Sequence, residues 1–286
     1  MRWRGERQSD NVEDRRGMPI SRGAKVGGIS GLGLVALVVV GLYLGIDPAT
    51  MLQIGQNMQP PSVSTEQNAR PAANDDMRNF VAVVLAETED VWNATFAKSG
   101  KTYEEPKLVL FSGAVESACG MAGSAVGPFY CPADHKVYLD LDFFEELHYQ
   151  FGASGDFAQA YVIAHEVGHH VQTLLGITQK VTELQSRSSR SDRNKFSVMT
   201  ELQADCLAGM WAHQADKNRN ILEAGDIEEG LNAASAVGDD RIQKRTQGYV
   251  VPDGFTHGSA AQRVMWFKRG FEQGNFQACD TFNAGR

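Results

Sequence analysis

The stretch DFAQAYVIAHEVGHHVQTLLG, residues 156–176, decides the fold and the chemistry. It reads as a buried helix. Asp156 offers an N-cap with Gln159 three residues on, and Gly176 supplies a residue suited to ending a helix. Tyr161, Val162, Ala164, Val167, Gly168, Val171 and Leu175 surround its centre with uncharged side chains. Within it stand His165, Glu166 and His169. Imidazoles at i and i+4 of a helix lie one turn apart on one face, so both can hold one metal ion. The glutamate between them reaches the same place and can take a proton from a metal-activated water, the donor pattern of zinc-dependent hydrolysis. The plain alternative, two surface histidines beside a salt-bridging glutamate, sits badly in so apolar a context. His170 points about 100° away around the helix and is expected not to ligate.

A catalytic zinc takes a third protein ligand. Seven residues, His-Val-Gln-Thr-Leu-Leu-Gly, follow His169, so no third histidine stands at the HExxHxxGxxH spacing. The other common donor is a glutamate from a later helix. Residues 201–205 read ELQAD, inside an apolar stretch expected to be helical from about Ser197 to Lys217. Glu201 is therefore the expected third ligand. Asp205, one turn on, is expected to orient a ligand histidine through its other ring nitrogen. An exposed acidic face is disfavoured by Leu202, Ala204, Cys206, Leu207, Ala208 and Met210 around it.

The chain has 286 residues, enough for one good-sized domain with an attachment, and its apolar fraction of 42% suits a folded core. From Val26 to Ile46 no charge occurs, a run long enough to span a bilayer as a helix. Seven basic residues precede it (Arg2, Arg4, Arg7, Arg15, Arg16, Arg22 and Lys25) against four acidic ones. The positive-inside rule then places residues 1–25 in the cytoplasm as a basic tail and exports everything after Ile46. A cleaved signal peptide is the alternative; the long apolar run and the lack of a small-x-small site favour an uncleaved anchor. Residues 47–74, with Pro60, Pro61 and Pro71, read as a polar linker, and residues 75–286 as the catalytic domain. After residue 46, 20 basic residues face 31 acidic ones, a poor balance for nucleic-acid binding. Four cysteines, Cys119, Cys131, Cys206 and Cys279, lie on the exported side and suggest two disulfides. Pairing Cys119 with Cys131 and Cys206 with Cys279 is the most economical of three connectivities.

Elsewhere the pattern predicts a helix over roughly 75–98, strands at Lys107–Phe111 and Val137–Asp140, and a short helix or turn in Leu141–Phe151. Ser186–Lys195 is too polar for core. Further helices are expected from Asp226 to near Arg245 and over Ser259–Gln273. The class is α+β: mostly helical with a small sheet, zincin-like, preceded by one transmembrane helix. Val137–Asp140 is a candidate edge for adding a substrate strand.

His165-Glu166-Val-Gly-His169-His-Val-Gln, Glu201-Leu-Gln-Ala-Asp205-Cys206 and Thr256-His257-Gly258-Ser259-Ala-Ala-Gln262-Arg263 together resemble the neutral zinc metallopeptidase family of single-pass bacterial membrane proteins. The segment Ser117–Asp140, with Ala-Cys-Gly and Gly-Pro-Phe-Tyr-Cys-Pro, matches as well. The resemblance covers essentially the whole chain. It implies a gluzincin-like site binding Zn2+ through His165, His169 and Glu201, with Glu166 as general base. It also implies a bacterial inner-membrane location, with the N-terminus cytoplasmic, the catalytic domain periplasmic and residues 26–46 in the lipid bilayer. Similar peptidases place a histidine, tyrosine or arginine across the zinc, which makes His257 a candidate for stabilising the oxyanion; packing at a helix start is the alternative. The expected substrate is a peptide or protein. Hydrolysis of another amide, such as a cell-wall crosslink, would use the same site, and a zinc-stabilised scaffold that cleaves nothing is the rival from a different class.

Overall fold

A computed structural model describes residues 1–18 and 75–283. The predicted span at 26–46 and linker at 47–74 lie outside the described residues. Among the described residues no helix is long and apolar enough to cross a membrane.

Two apolar runs seed a sheet. Strand β2 (Lys107–Phe111) pairs in parallel with β6 (Lys136–Asp140), and β5 (Phe129–Cys131) runs antiparallel along the other side of β6. Strand β1 (Val12–Asp14) extends β2 in parallel, so the order is β1-β2-β6-β5. A hairpin of β3 (Ala114–Ser117) and β4 (Gly120–Gly123) stands apart as a second sheet. Both faces of β2 are buried. Leu108 and Leu110 join the main core, while Val109 and Phe111 join a smaller cluster with Val115 and Tyr138. That is the two-residue alternation of a strand read directly. Strand β6 is flanked on both sides, so Val137–Asp140 is no free edge; the edge on that side of the sheet is β5.

Among the described residues there are eight helices: α1 (Asp76–Lys98), α2 (Asp142–Tyr149), α3 (Asp156–Leu174), α4 (Ile177–Ser186), α5 (Arg190–Arg219), α6 (Asp226–Ala236), α7 (Asp239–Gln247) and α8 (Ala260–Gln273), with α3 packing on β5 and β6. The class is α+β and mostly helical, as expected. The residue-156 helix begins at Asp156 itself, with Gly155 as its cap. The polar stretch after it is helical at both ends: α4 closes at Ser186, and Ser189 caps α5 through the amide of Asp192. The single helix expected from Asp226 to Arg245 is two helices, broken at Val237-Gly238. A side chain at Gly238 would collide with the Ala260 backbone, so this turn admits the start of α8.

Close approach of helices brings the site together. A Cβ on Gly168 in α3 would sit 3.2 Å from the Ala204 backbone of α5. Gly209 of α5 lies against the Phe267 carbonyl of α8, and Gly270 of α8 lies against the Cys206 carbonyl. Larger residues there would force α3, α5 and α8 apart.

The two disulfides are Cys119–Cys131 and Cys206–Cys279. The first ties the hairpin to β5; the second ties α5 to the chain after α8.

The reading of the N-terminus is also corrected. Residues 1–16 are not a separate basic tail but belong to the same compact unit as residues 71–286. Met1 is buried in the main core and Trp3 packs edge-on against Phe80 of α1. The reason lies in specific partners: β1 completes the sheet beside β2, and the arginines of this segment are paired with acidic residues of the unit. Charge density alone cannot reveal such pairings.

Candidate metal centre

Helix α3 carries His165, Glu166 and His169; helix α5 carries Glu201 and Asp205, facing them across the Gly168–Ala204 contact. Donor atoms of His165, His169 and Glu201 lie within 4.8 Å of one another. Glu201 meets both imidazoles, Oε2 lying 3.1 Å from His165 Nε2 and Oε1 3.4 Å from His169 Nε2. The remaining ring nitrogens are already engaged. His165 Nδ1–H donates to Asp205 Oδ1 at 2.9 Å, and His169 Nδ1–H donates to Gln172 Oε1 at 2.9 Å. Each histidine is thereby held with its Nε2 turned to the common point, the ring orientation a metal requires. Two imidazoles and a carboxylate suit a borderline-soft divalent ion such as zinc, and these residues fit one.

The electrostatics follow from burial of opposite charges. Desolvation lowers the pKa of His165, but Asp205 and Glu201 outweigh it and hold the imidazole up at about 10. Burial likewise opposes, without cancelling, the pull of Glu201 that raises His169. Glu201 is held well below the carboxylate range by the two histidines, against its own desolvation. Burial raises the pKa of Glu166, partly offset by those histidines, and so strengthens it as a proton acceptor.

The side chains that hold Asp205 and His169 in place went unrecognised in the sequence. Asp205, fully buried, is gripped by Arg263 of α8, whose Nε and Nη2 donate to Oδ2 and Oδ1 at 2.8 and 2.9 Å. The Tyr161 hydroxyl also donates to Asp205 and accepts from Arg263 at 3.2 Å. On the other side, the Gln172 amide donates to the Thr200 carbonyl and to Gln203, and Gln203 donates to the carbonyl of Cys279. His169 is thus connected to the Cys206–Cys279 bridge. Arg263 stands within the quoted Thr256–Arg263 motif, but no local spacing relates it to Asp205, 58 positions earlier.

His170 is turned away as predicted. It donates from Nε2 to the Glu104 carbonyl and accepts from the Tyr130 hydroxyl, and burial depresses it to about 4. His257 lies at the rim of the same cleft as the donor set. Its Nδ1 is 3.2 Å from Asp239 Oδ1, and its backbone N–H donates to Asp239 Oδ2 at 2.6 Å. The bond to Asp239 raises its pKa, with burial opposing and Glu201 adding to the rise. Outside the centre, Asp156, Asp226 and Glu229 also cluster; the α-amino group of Met1 lies 2.5 Å from Asp156 and 3.3 Å from Asp226.

The cleft above the donors has a volume of about 660 Å³. One wall is the disulfide-closed loop leading into β5, including Phe129 and Tyr130; Phe143, Phe151, Val162 and Ile242 add apolar surface. Beyond the metal-centre carboxylates, the charged lining side chains are Glu146 and Arg263, and Arg263 is committed to Asp205.

Residues 1–282 match the family model described as "Putative neutral zinc metallopeptidase". The chain belongs to this family. It is 50% identical to "Uncharacterized protein YpfJ" of Escherichia coli strain K12 over 292 residues, covering 99% of each chain. It is 41% identical to "Uncharacterized protein Rv2575" of Mycobacterium tuberculosis strain H37Rv over 260 residues, 85% of each. No solved structure matches the chain. Family membership implies zinc as the metal of the centre.

Proposed function

We propose that the protein is a zinc-dependent peptidase, with His165, His169 and Glu201 holding the ion. The observation that carries this reading is Glu166, buried beside a donor set of three side chains that opens onto a cleft. A purely structural site is closed by four protein ligands and has no need of an adjacent base. Zinc bound there acidifies a water and polarises a carbonyl. Glu166 accepts the proton of that water and returns it to the leaving amine. His257, its Nδ1 tied to Asp239, presents Nε2 to the cleft and neutralises charge developing on the carbonyl oxygen. Asp205, clamped by Arg263 and Tyr161, fixes His165; Gln172 fixes His169.

The cleft also bears on the substrate. An extended peptide can pair with the edge of β5, whose Phe129 and Tyr130 line the wall. The apolar surface of Phe143, Phe151, Val162 and Ile242 takes apolar side chains. Peptides with apolar residues around the scissile bond are therefore the expected substrates.

The test is cleavage of casein and of blocked apolar peptides by the zinc-loaded full chain. Activity should vanish with a chelator and return with zinc. Glu166→Gln should keep its zinc and lose roughly 10²–10⁴-fold in rate. Undiminished cleavage by that variant would remove the base assignment, and absence of cleavage by the zinc-loaded wild type across such substrates would remove the peptidase reading.

A further inference from the structure

We infer that Met1–Arg16 stands on the same side of any membrane as the metal centre. This is independent of what the site cleaves.

The segment is built into the unit at several separate places. The Arg2 N–H donates to the Ile221 carbonyl just after α5, and the Ser9 N–H donates to the Ala82 carbonyl of α1. Strand β1 pairs with β2 from Val12↔Leu108 to Asp14↔Leu110, flanked by Leu108 N–H to Asn11 O and Arg15 N–H to Leu110 O. The unit is incomplete without it. Glu89 of α1 is 2% exposed, and its carboxylate is satisfied by Ser9, Asn11 and Arg7. Taking the segment away strands a buried carboxylate and bares the edge of β2.

Five of the seven basic residues that suggest a cytoplasmic flank are spent on internal partners. Arg2 faces Glu223, Arg4 pairs with Asp76, Arg7 with Glu89 and Asp90, Arg15 with Glu13, and Arg16 with Asp14 and Asp75. A charge neutralised within the fold no longer orients the chain by its attraction to one side of the membrane. The ends of the intervening stretch also meet: Arg16 Nη1 lies 2.6 Å from Asp75 Oδ2. One crossing would leave those ends on opposite faces, about 30 Å of hydrocarbon apart. A return crossing needs a second apolar run, and residues 47–74, with Pro60, Pro61 and Pro71, contain none.

The experiment is thiol labelling of the full chain in intact cells. All four cysteines are in disulfides, so Gln8→Cys and Lys268→Cys, both at exposed positions, each introduce a single reactive thiol. With a membrane-impermeant maleimide the two variants should behave alike: both labelled in intact cells, or both protected until lysis. Labelling of one and protection of the other overturns the inference. As an independent check, a protease site is inserted after Ser64 and the protein is cut in mild detergent. The N-terminal fragment should co-elute with the metal-binding unit, and its separation would also overturn the inference.

Discussion

The crossing of α3 and α5 and the N-terminal segment Met1–Arg16 are both rich in charge, and both bury carboxylates. They differ in how far apart their partners lie along the chain. At the crossing, His165 and His169 are one helical turn apart, as are Glu201 and Asp205, so each helix presents its half of the chemistry through spacing alone. In the segment, the partners that dock it are remote: Ser9 and Arg7 reach Glu89, and Arg2 reaches Ile221. Local periodicity speaks for the first region and is silent about the second. Changes at the crossing should therefore cost zinc, activity and stability together, whereas changes in the segment should cost stability alone.

The largest expected effect on stability lies at the crossing. Arg263→Met leaves Asp205, fully buried, without its bidentate partner, and an uncompensated buried charge costs about 3–5 kcal/mol. Urea unfolding should show that loss, and a variant unfolding at the wild-type midpoint would mean the pair contributes little. Next is the Cys206–Cys279 bridge, which closes a span of 73 residues and should contribute roughly 4 kcal/mol when both cysteines become alanine. The Cys119–Cys131 bridge spans 12 and should contribute less, by roughly 1 kcal/mol or more. Equal losses from the two would point to strain or residual structure, not chain closure, as the controlling term.

The same contrast of near and far explains what could be read in advance. Lys107–Phe111, Asp76–Lys98 and the capped helix after Ser259 follow from runs, caps and periods that operate within a few residues. The split at Gly238 was hidden because its cause, the Ala260 backbone, arrives from another part of the chain. At the site, the ligand and base assignments come from i, i+1 and i, i+4 relations. Tyr161, Gln203 and Arg263 act through contacts between helices, and Gln172, though one turn from His169, is held by Thr200 and Gln203 of another helix. Residues 1–16 were misread for the same reason, since seven basic residues before an apolar run resemble a topological signal when their carboxylate partners are unseen.

Gln172→Leu tests one of those hidden contacts. His169 loses the acceptor for its Nδ1–H while all three donors and the net charge remain. Loss of such a partner typically lowers metal affinity 10–100-fold. A chelator competition should show zinc held more weakly, with the circular dichroism of the folded protein unchanged. Unaltered affinity would mean that packing, not the amide, fixes the ring.

The smallest effect belongs to the segment and sharpens the contrast through pH. Desolvation raises the pKa of Glu13, but Lys136 and Arg15 outweigh it and hold the carboxyl at about 2, below the ordinary 4.5. A depressed folded-state value means that the ionised form stabilises the fold. That contribution is complete above about pH 4.5 and disappears as pH falls towards 2. Glu13 is partly solvated, so screening keeps the effect near or below about 1 kcal/mol. Acid also protonates metal ligands, so wild type and Glu13→Gln are compared with chelator present in both. Their melting temperatures should differ most near neutrality and converge as pH falls through 4.5 towards 2. A gap that stays constant with pH would show that Glu13 holds β1 through shape and hydrogen bonding, and that its charge is not what docks the segment.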